Sequence, residues 1–338
     1  MIERERERER EGRREWKMAD VEGKKDGGWK WVVDAEEVEK SGDPVELARI
    51  LVREVSKMAH APVSGYHVGT ALRGGSGAIY LGVNLEFGSM NGDTVHAEQF
   101  ATTLAFLHGE QHIEFLMTEG GKPCGHCRQF ISEVMEVDKI SFLAARDKKL
   151  NYSMNELLPF GMRPSALTHT PVCVPIGSRM SDCHYHLFGP KQHRNLKIES
   201  STLEDSFDDD TRVRMAIAQT ACARSHAPYS GNLAGVAIVC DSENQGNSAA
   251  VTIPCFSGCV VENVAFNPTL PPLQVALIAA IAAIASHDRP VSNVLASIST
   301  AILMEKGDRL SWGTRTQYLL KELAPDAVLL KFKVVETE

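Results

Sequence analysis

A turn motif that occurs twice constrains the fold of this chain more than any other feature of its sequence. Residues 61–65 read APVSG, and residues 227–231 read APYSG. A glycine follows each motif at the same distance, as Gly69 and Gly235, inside a run that favours a β-strand. A motif that returns with its following strand predicts a chain built from two copies of one unit.

The similarity continues downstream of the turn motif. The segment Gly82–Phe87 is similar to Gly258–Phe266, in an alignment that places Asn84 opposite Asn263. A long apolar helix is predicted after each segment. Chance similarity between turn residues is the alternative explanation. We favour an internal duplication of one α/β unit, because residue order and element type recur together.

Apolar periodicity and turn residues predict the elements of the first copy. A helix is expected to begin at Asp43, which reads as an N-cap followed by a proline at the first helical position. Tyr66–Arg73 and Ile79–Glu86 form a predicted β-hairpin. The later elements are a helix at Thr94–Leu107, a strand at Ile113–Thr118, a helix at Gly125–Met135 and a strand at Ile140–Ala144. This alternation predicts helices on both sides of a mixed sheet.

A length of 338 residues predicts about two domains, at roughly 150 residues each. We expect a low-complexity or disordered extension over residues 1–40, including a short N-terminal helical segment. The first domain is expected over 41–150, an irregular crossover and linker over 151–206, and the second domain over 207–338. Residues 3–11 alternate Glu and Arg, so they are expected to be either a solvated helix or disordered, and residues 1–17 to be dispensable.

Charge and hydropathy exclude several classes of protein. A net charge of −8 argues against a dedicated nucleic-acid binder, which needs a basic face. The longest apolar run, Val275–Ala285, is too short to span a bilayer, so no membrane partner is expected. The charged amino terminus does not resemble a signal peptide, which predicts a cytoplasmic protein. In that reducing compartment a close cysteine pair favours metal binding or catalysis over a disulfide.

The residues His96, Cys124 and Cys127 form the strongest chemical signal in the sequence. Catalytic zinc takes three imidazole or thiolate ligands and keeps a fourth position for water. A Cys-x-x-Cys at a helix start suits this role, because free amides and the helix dipole stabilise thiolates. A structural zinc site or a redox pair is the alternative. A structural site needs a fourth protein ligand, and His126, between the two cysteines, is poorly placed to provide it.

A carboxylate follows the candidate histidine ligand by two positions. At a helix start, Glu98 therefore points to a different side from His96 and can face the open metal position without binding the metal. This arrangement suits a general acid/base that moves protons between water and substrate. His-x-Glu and Pro-Cys-x-x-Cys in this order, with His96 and Cys124 28 residues apart, match the zinc deaminase signature.

These motifs resemble those of the cytidine deaminases, in the long two-domain form that is a homodimer. The resemblance spans about Val45–Leu330. It is carried by Gly82–Phe87, Thr94–Gln99, Pro123–Phe130 and Glu262–Gln274. It implies a duplicated cytidine-deaminase-like α-β-α sandwich, in which a mixed sheet is flanked by helices. It also implies a zinc cofactor held by the His-Cys-Cys set.

The resemblance assigns substrate contacts to matching positions. Asn84 and Glu86 would bind a ribose hydroxyl, with Leu85 between them lining the pocket. The amide of Ala97 would hold the base O2, and Glu98 would contact N3 and N4.

Three further assignments concern two aromatic residues and a leaving group. Where the family often has Phe-Asn, this chain has Tyr66-His67, so Tyr66 is expected to pack against the pyrimidine. Phe188 resembles a residue that approaches the pocket of the neighbouring subunit. The Pro123 carbonyl would lie near the departing ammonia.

The second copy lacks this chemistry. Residues 271–274, Pro-Pro-Leu-Gln, stand where the first copy has its His-Ala-Glu-Gln, and no Cys-x-x-Cys follows. Cys255 and Cys259 precede the helix instead. We therefore expect one zinc per chain and a degenerate, non-catalytic second domain. A second metal cluster is the alternative, formed by Cys183, His184, His186 and His193.

The function expected from the resemblance is zinc-dependent hydrolytic deamination of free cytidine and deoxycytidine to uridine and deoxyuridine, a step of pyrimidine salvage. A polynucleotide cytosine editor is one alternative, but it needs a basic channel lined with aromatic residues. A zinc-binding scaffold without activity is the other, and the intact His96, Glu98, Cys124 and Cys127 argue against it.

Overall fold

The computed structural model describes residues 29–88, 91–164, 194–199, 207–241, 254–306 and 312–337. The α-helices of these ranges are α1 (Ala35–Lys40), α2 (Pro44–Ser56), α3 (Ala97–Leu107), α4 (Gly125–Ile131), α5 (Met154–Leu157), α6 (Asp209–Ala223), α7 (Pro272–Ile284), α8 (Val291–Ala296) and α9 (Trp312–Leu323). The strands are β1 (Val32–Val33), β2 (Gly69–Gly74), β3 (Ile79–Val83), β4 (Ile113–Thr118), β5 (Ser141–Ala144), β6 (Asn151–Tyr152), β7 (Asn195–Ile198), β8 (Ala234–Cys240), β9 (Cys255–Cys259), β10 (Ile298–Glu305) and β11 (Val328–Thr337).

The strands form two mixed sheets with the same central topology. The first sheet has the order β1-β3-β2-β4-β5-β6, and the second has the order β7-β11-β10-β8-β9. In both, the two hairpin strands pair antiparallel, and so does the hairpin with the next strand along the chain, β4 or β10. The pairs β4 with β5 and β10 with β11 are parallel. Helices α2 and α3 pack on the first sheet as α6 and α7 pack on the second. The predicted duplicated α/β fold is confirmed.

Two glycines show how closely each copy packs its helix on its sheet. A Cβ placed on Gly82 of β3 would lie 2.3 Å from the carbonyl oxygen of Ala97 in α3. A Cβ on Gly258 of β9 would lie 2.2 Å from the amide of Ala276 in α7. Neither position has room for a side chain, so the glycine recurs because the helix backbone touches the strand in both copies.

The hydrogen bonds correct one detail of the sequence alignment. Glu86 and Glu262 each accept hydrogen bonds from two consecutive backbone amides of the turn motif in their own copy. Glu86 therefore corresponds to Glu262, and Asn84 corresponds to Val260 rather than to Asn263. The expected pairing of the two asparagines was wrong because it matched residue types across segments of unequal length. The backbone ladder fixes the true register.

Local hydrogen bonds determine where α2 and α3, the first two predicted helices along the chain, begin. Helix α2 is capped as predicted, since the Asp43 carboxylate accepts from two backbone amides of the first turn. Helix α3 begins at Ala97 rather than at the predicted Thr94. The chain is still extended at Val95, whose backbone exchanges hydrogen bonds of 2.8 and 2.9 Å with Leu85.

Residues 29–40 correct the expectation of an extension up to residue 40. Strand β1 pairs with β3, and helix α1 follows it. Trp31 is 2% exposed, stacks on Phe100, and donates a hydrogen bond of 3.0 Å from Nε1 to the carbonyl of Ala285 in the second copy. These apolar side chains are buried on folding, which holds the segment on the domain. Residues 1–28, with the Glu/Arg repeat, lie outside the described residues.

The expected linker, residues 151–206, also carries structure at both of its ends. Strand β6 pairs antiparallel with β5 at the edge of the first sheet and is followed by helix α5, and β7 pairs antiparallel with β11 at the edge of the second sheet. Pairing with β7 satisfies backbone groups that an edge strand would otherwise expose. The second unit therefore takes its edge strand from the expected linker. Residues 165–193 and 200–206 lie outside the described part of the chain.

Helix α7 lies at the centre of the molecule. It packs on β8 and β9 of its own sheet and also contacts α3 of the first copy. Most of its apolar side chains are buried, as expected for a helix covered on several sides. Within the described ranges, no helix is long and apolar enough to cross a membrane.

Candidate active site

The three predicted metal ligands come together at the starts of two helices. His96 is the N-cap of α3, Cys124 is the N-cap of α4, and Cys127 lies in the first turn of α4. The distance from His96 Nδ1 to Cys124 Sγ is 3.5 Å, and the two Sγ atoms are 3.6 Å apart. All three ligand atoms lie within 4.8 Å of one another.

These separations fit a tetrahedral zinc ion. Zn–S bonds near 2.3 Å and Zn–N bonds near 2.0 Å place neighbouring ligand atoms about 3.5 to 3.8 Å apart. The donor set of one imidazole and two thiolates is also one that zinc prefers. Across the described residues, this is the one such group of three or more His, Cys, Asp or Glu side chains.

The local sequence explains why the ligands stand where they do. The bridge between Val95 and Leu85 keeps the chain extended up to His96, whose amide then donates to Oε1 of Gln99 at 3.1 Å. Before the second helix, Arg128 donates from Nε to the Pro123 carbonyl at 2.7 Å. Each ligand segment is thus fixed by a side chain from the helix that it precedes.

The two thiols differ electrostatically. The hydrogen bond between Cys124 and Cys127, together with that between Cys124 and His96, lowers the pKa of Cys124 to about 3. Burial raises the pKa of Cys127. The hydrogen bond with Cys124 raises the pKa of His96. A divalent metal is the group that favours ionisation of both sulfurs.

Glu98 lies beside the ligand cluster and is not part of it. It occupies the second position of α3 and is 6% exposed. Burial raises the pKa of its carboxyl group, although the positive charge of His96 acts in the opposite direction. A carboxyl group with a raised pKa next to a metal site can both take and return a proton near neutral pH.

The predicted ribose-binding residues are held by the turn motif of the first copy and by the three residues that follow it. The Asn84 amide accepts from the amide of Val68 and donates to the carbonyl of Tyr66, both at 2.9 Å. Its nitrogen is also 3.5 Å from Oε1 of Glu86. The two side chains are therefore neighbours in a fixed arrangement.

Glu86 is held as an acceptor. Its carboxylate accepts from the amides of Val63 and Ser64 at 3.1 and 2.9 Å, and from the Ser64 hydroxyl. Burial opposes ionisation, but these bonds and the one from Asn84 outweigh it, so the pKa of Glu86 is lowered. The same carboxylate raises the pKa of His96, which shows that the two clusters are close in space.

The other predicted contacts have mixed outcomes. Tyr66 is 61% exposed, and a Cβ on Gly120 would lie 3.4 Å from its hydroxyl, so it stands beside the loop before Cys124. Leu85 has no exposed surface, because it packs in the core, so its side chain does not line an open pocket. Ala97 is also buried, and its amide is at the first helical position. Phe188 lies outside the described residues.

Contacts with the second copy were missed by sequence reasoning. Gln99 donates from Nε2 to the carbonyl of Pro268 at 3.1 Å, and Gln274 donates from Nε2 to Oδ1 of Asp93 at 3.1 Å. The two glutamines hold equivalent positions in α3 and α7, so the contacts are reciprocal. The presence of a glutamine at the same position of both helices was the one sequence signal that pointed to this contact between the copies.

The second copy has different residues at the equivalent helix start. Pro271 is the N-cap of α7, as His96 is of α3, so Leu273 stands where Glu98 stands. Cys255 and Cys259 lie at opposite ends of β9. The alternative cluster of Cys183, His184, His186 and His193 falls outside the described residues.

Comparison with known proteins agrees with this site. Two family models, both described as the cytidine and deoxycytidylate deaminase zinc-binding region, match residues 46–144 and 154–314. The cytidine deaminase of Vibrio vulnificus is 36% identical over 285 residues, which cover 83% of this chain and 80% of the relative. That of Vibrio parahaemolyticus is 34% identical over 290 residues, with the same coverage.

Among solved structures, cytidine deaminase from Mycobacterium tuberculosis is 25% identical with a TM-score of 0.32, over 36% of this chain and 98% of that one. Because the family models match more than half of its residues, and relatives above 30% identity cover most of its length, this chain belongs to the cytidine and deoxycytidylate deaminase family.

Proposed function

We propose that this protein catalyses the hydrolytic deamination of cytidine and deoxycytidine to uridine and deoxyuridine with release of ammonia. The observation that carries the proposal is the convergence of His96, Cys124 and Cys127 beside the buried Glu98. The names of the curated relatives support the same substrate class. The role in metabolism would be pyrimidine salvage.

Zinc, when bound, supplies the Lewis acidity that makes water nucleophilic near neutral pH. Glu98 takes a proton from the attacking water and delivers it to N3 of the base. It then takes the second proton, from the hydroxyl that the water has left on C4, and passes it to the amine, so the C4–N bond breaks as the C4=O bond forms and ammonia is released. The Ala97 amide orients the base through O2, and the Pro123 carbonyl, held by Arg128, lies near the leaving group.

Asn84 and Glu86 bind the sugar. A carboxylate with a lowered pKa accepts a hydrogen bond from a ribose hydroxyl, and the neighbouring amide can donate to it. Direct recognition of a sugar hydroxyl by a charged group favours a free nucleoside. A polynucleotide would need a basic channel instead, and the net charge of −8 argues against one.

We further propose one zinc per chain and a homodimer in which Phe188 reaches the partner's pocket. Tyr66 would provide the ring that packs against the pyrimidine, with its hydroxyl directed to the loop at Gly120. The second domain contributes no ligand and acts as a scaffold.

An ammonia-release assay with four substrates tests this function. Cytidine and deoxycytidine should be deaminated, whereas CMP and single-stranded DNA should react at least tenfold more slowly, roughly the loss expected when a polar substrate contact is missing. Light scattering on the same sample should give the mass of two chains. Faster turnover of single-stranded DNA than of cytidine would contradict the proposal and favour a polynucleotide editor.

A further inference from the structure

A buried carboxylate outside the site described above joins the two copies. Glu133 follows helix α4 by two residues and is 1% exposed. Its oxygens accept from His226 Nε2 at 3.2 Å, Asn263 Nδ2 at 3.3 Å, the Val264 amide at 3.0 Å and the Tyr229 hydroxyl. All of these donors belong to the second copy.

This number of donors satisfies a carboxylate, which has about four lone-pair sites. A buried carboxylate would be costly without them, and the donors would be equally costly if the carboxylate were removed. The contact is therefore specific, because no apolar side chain of similar size would satisfy the same donors.

The second copy also holds the end of helix α4 itself. The Asn263 amide that contacts Glu133 lies 2.9 Å from the carbonyl of Gln129 and 3.4 Å from that of Phe130. These carbonyls belong to the last turn of α4, beyond its regular i→i−4 hydrogen bonds, and the Asn263 amide adds to the local bonds that they accept from Ser132 and Glu133. Because α4 has only seven residues, its C-terminal end is about two turns from Cys124 and about one turn from Cys127.

The first copy receives an equivalent but weaker contact. In the corrected register Gly88 corresponds to Val264, and its amide donates to Glu322 of α9. Helix α9 follows β10 as α4 follows β4. Glu322 is exposed and Glu133 is buried, so the chain offers a matched pair of carboxylates with different surroundings.

We propose that Glu133 is a positioning residue for the zinc site, through which the second copy fixes the helix that carries Cys124 and Cys127. The expected effect of Glu133 on catalysis rests on the function proposed above. The expected effect of Glu133 on zinc retention follows from the geometry of helix α4 alone. Glu133 touches neither substrate nor metal, and it acts by holding α4 in one position relative to His96.

Zinc release from the holoenzyme to a chromogenic chelator tests this role. Glu133→Gln keeps the shape of the side chain and changes the charge, and Glu322→Gln is the matched control. Each variant is measured at the same interval below its own melting temperature, so that a general loss of stability cancels. Loss of a residue that orients metal ligands should accelerate zinc release by about tenfold in Glu133→Gln, and Glu322→Gln should stay within about twofold of the wild type.

Steady-state kinetics with cytidine provides the second measurement. Glu133→Gln, reloaded with zinc, should lower kcat by about tenfold with KM changed less than about twofold, because the sugar contacts are intact. Zinc release and kcat both within twofold of the wild type would overturn the proposal. A wild-type holoenzyme that deaminates no cytidine substrate would overturn the proposed function alone, since zinc release would still report on Glu133.

Discussion

The two copies of the α/β unit share a backbone plan and differ in a few side chains at one helix start. In the first copy this position presents His96 and Glu98, and in the second it presents Pro271 and Leu273. The strand order, the close-packed glycine and the carboxylate bound by the turn motif are retained in both. The fold therefore does not depend on the metal-binding and catalytic side chains, which can be lost while the backbone arrangement persists.

Equivalent surfaces of the two copies face different surroundings. In the first copy the turn motif is open, and Val63 is 60% exposed. In the second copy the equivalent Tyr229 and the nearby His226 contact Glu133 of the first copy. The surface that borders the proposed nucleoside site in one copy therefore forms part of the domain interface in the other.

The largest effect is expected from Glu98→Ala, which gives the first copy an aliphatic residue where the second has Leu273. Proton transfer enters more than one step, so kcat should fall by about 10³-fold or more. Zinc content and melting temperature should be retained, because Glu98 is not a ligand. Metal analysis and the ammonia assay on one preparation measure both. Loss of zinc, or activity within tenfold of the wild type, would show that Glu98 has another role.

The next test concerns Glu86 and Glu262, the carboxylates that accept hydrogen bonds from the two turn motifs. Glu86→Gln should raise KM for cytidine by about tenfold, because a neutral amide is a weaker acceptor for a sugar hydroxyl, with a smaller change in kcat. Glu262→Gln, the matched variant, should lower stability and leave KM unchanged, because Glu262 is buried and binds only its own turn motif among the contacts described. An equal rise of KM in both variants would mean that the effect comes from the fold.

Smaller effects are expected at the reciprocal glutamines. Gln99→Ala and Gln274→Ala each remove a hydrogen bond between the copies and should cost about 1 kcal/mol of unfolding free energy. Only Gln99 also binds the amide of His96, so only its variant should release zinc faster, by roughly tenfold. Denaturant unfolding and the chelator assay separate the two effects. Identical zinc release from both variants would contradict this difference between the copies.

The smallest expected effect concerns pH. The pKa of Glu86 is lowered from its ordinary value of 4.5, so its contribution to stability is present above that value and is lost as the pH falls through the lowered pKa. The melting temperature of the wild type should therefore exceed that of Glu86→Gln at neutral pH, and the two should converge below pH 4.5. A difference that grows on acidification would contradict this assignment.

The zinc site was largely predictable from sequence because its parts are local. His96 and Glu98 are two residues apart, and the Cys-x-x-Cys spacing places both sulfurs on one helix turn. The central strands and helices were predictable for the same reason, since their apolar periodicity is local.

The remaining features depend on partners that are distant in the chain. Trp31 is held by Phe100 and Ala285, which are far from it in the chain. The residues around Trp31 carry few local signals of structure, so this segment was expected to be disordered. Glu133 reads as an ordinary helix-end acid, and only the fold brings its donors to it from more than 90 residues away. The register of Asn84 required the backbone ladder, because residue types alone matched the wrong asparagine.

Zinc stoichiometry tests the central claim, that one copy carries the chemistry and the other supports it. Metal analysis of the wild type should give one zinc per chain, and the double variant Cys124→Ser/Cys127→Ser should bind none and deaminate no cytidine. Cys255→Ser, which alters a cysteine of the second copy, should keep one zinc and its activity. Two tightly bound zinc ions per wild-type chain, or one retained by the double variant, would contradict the account.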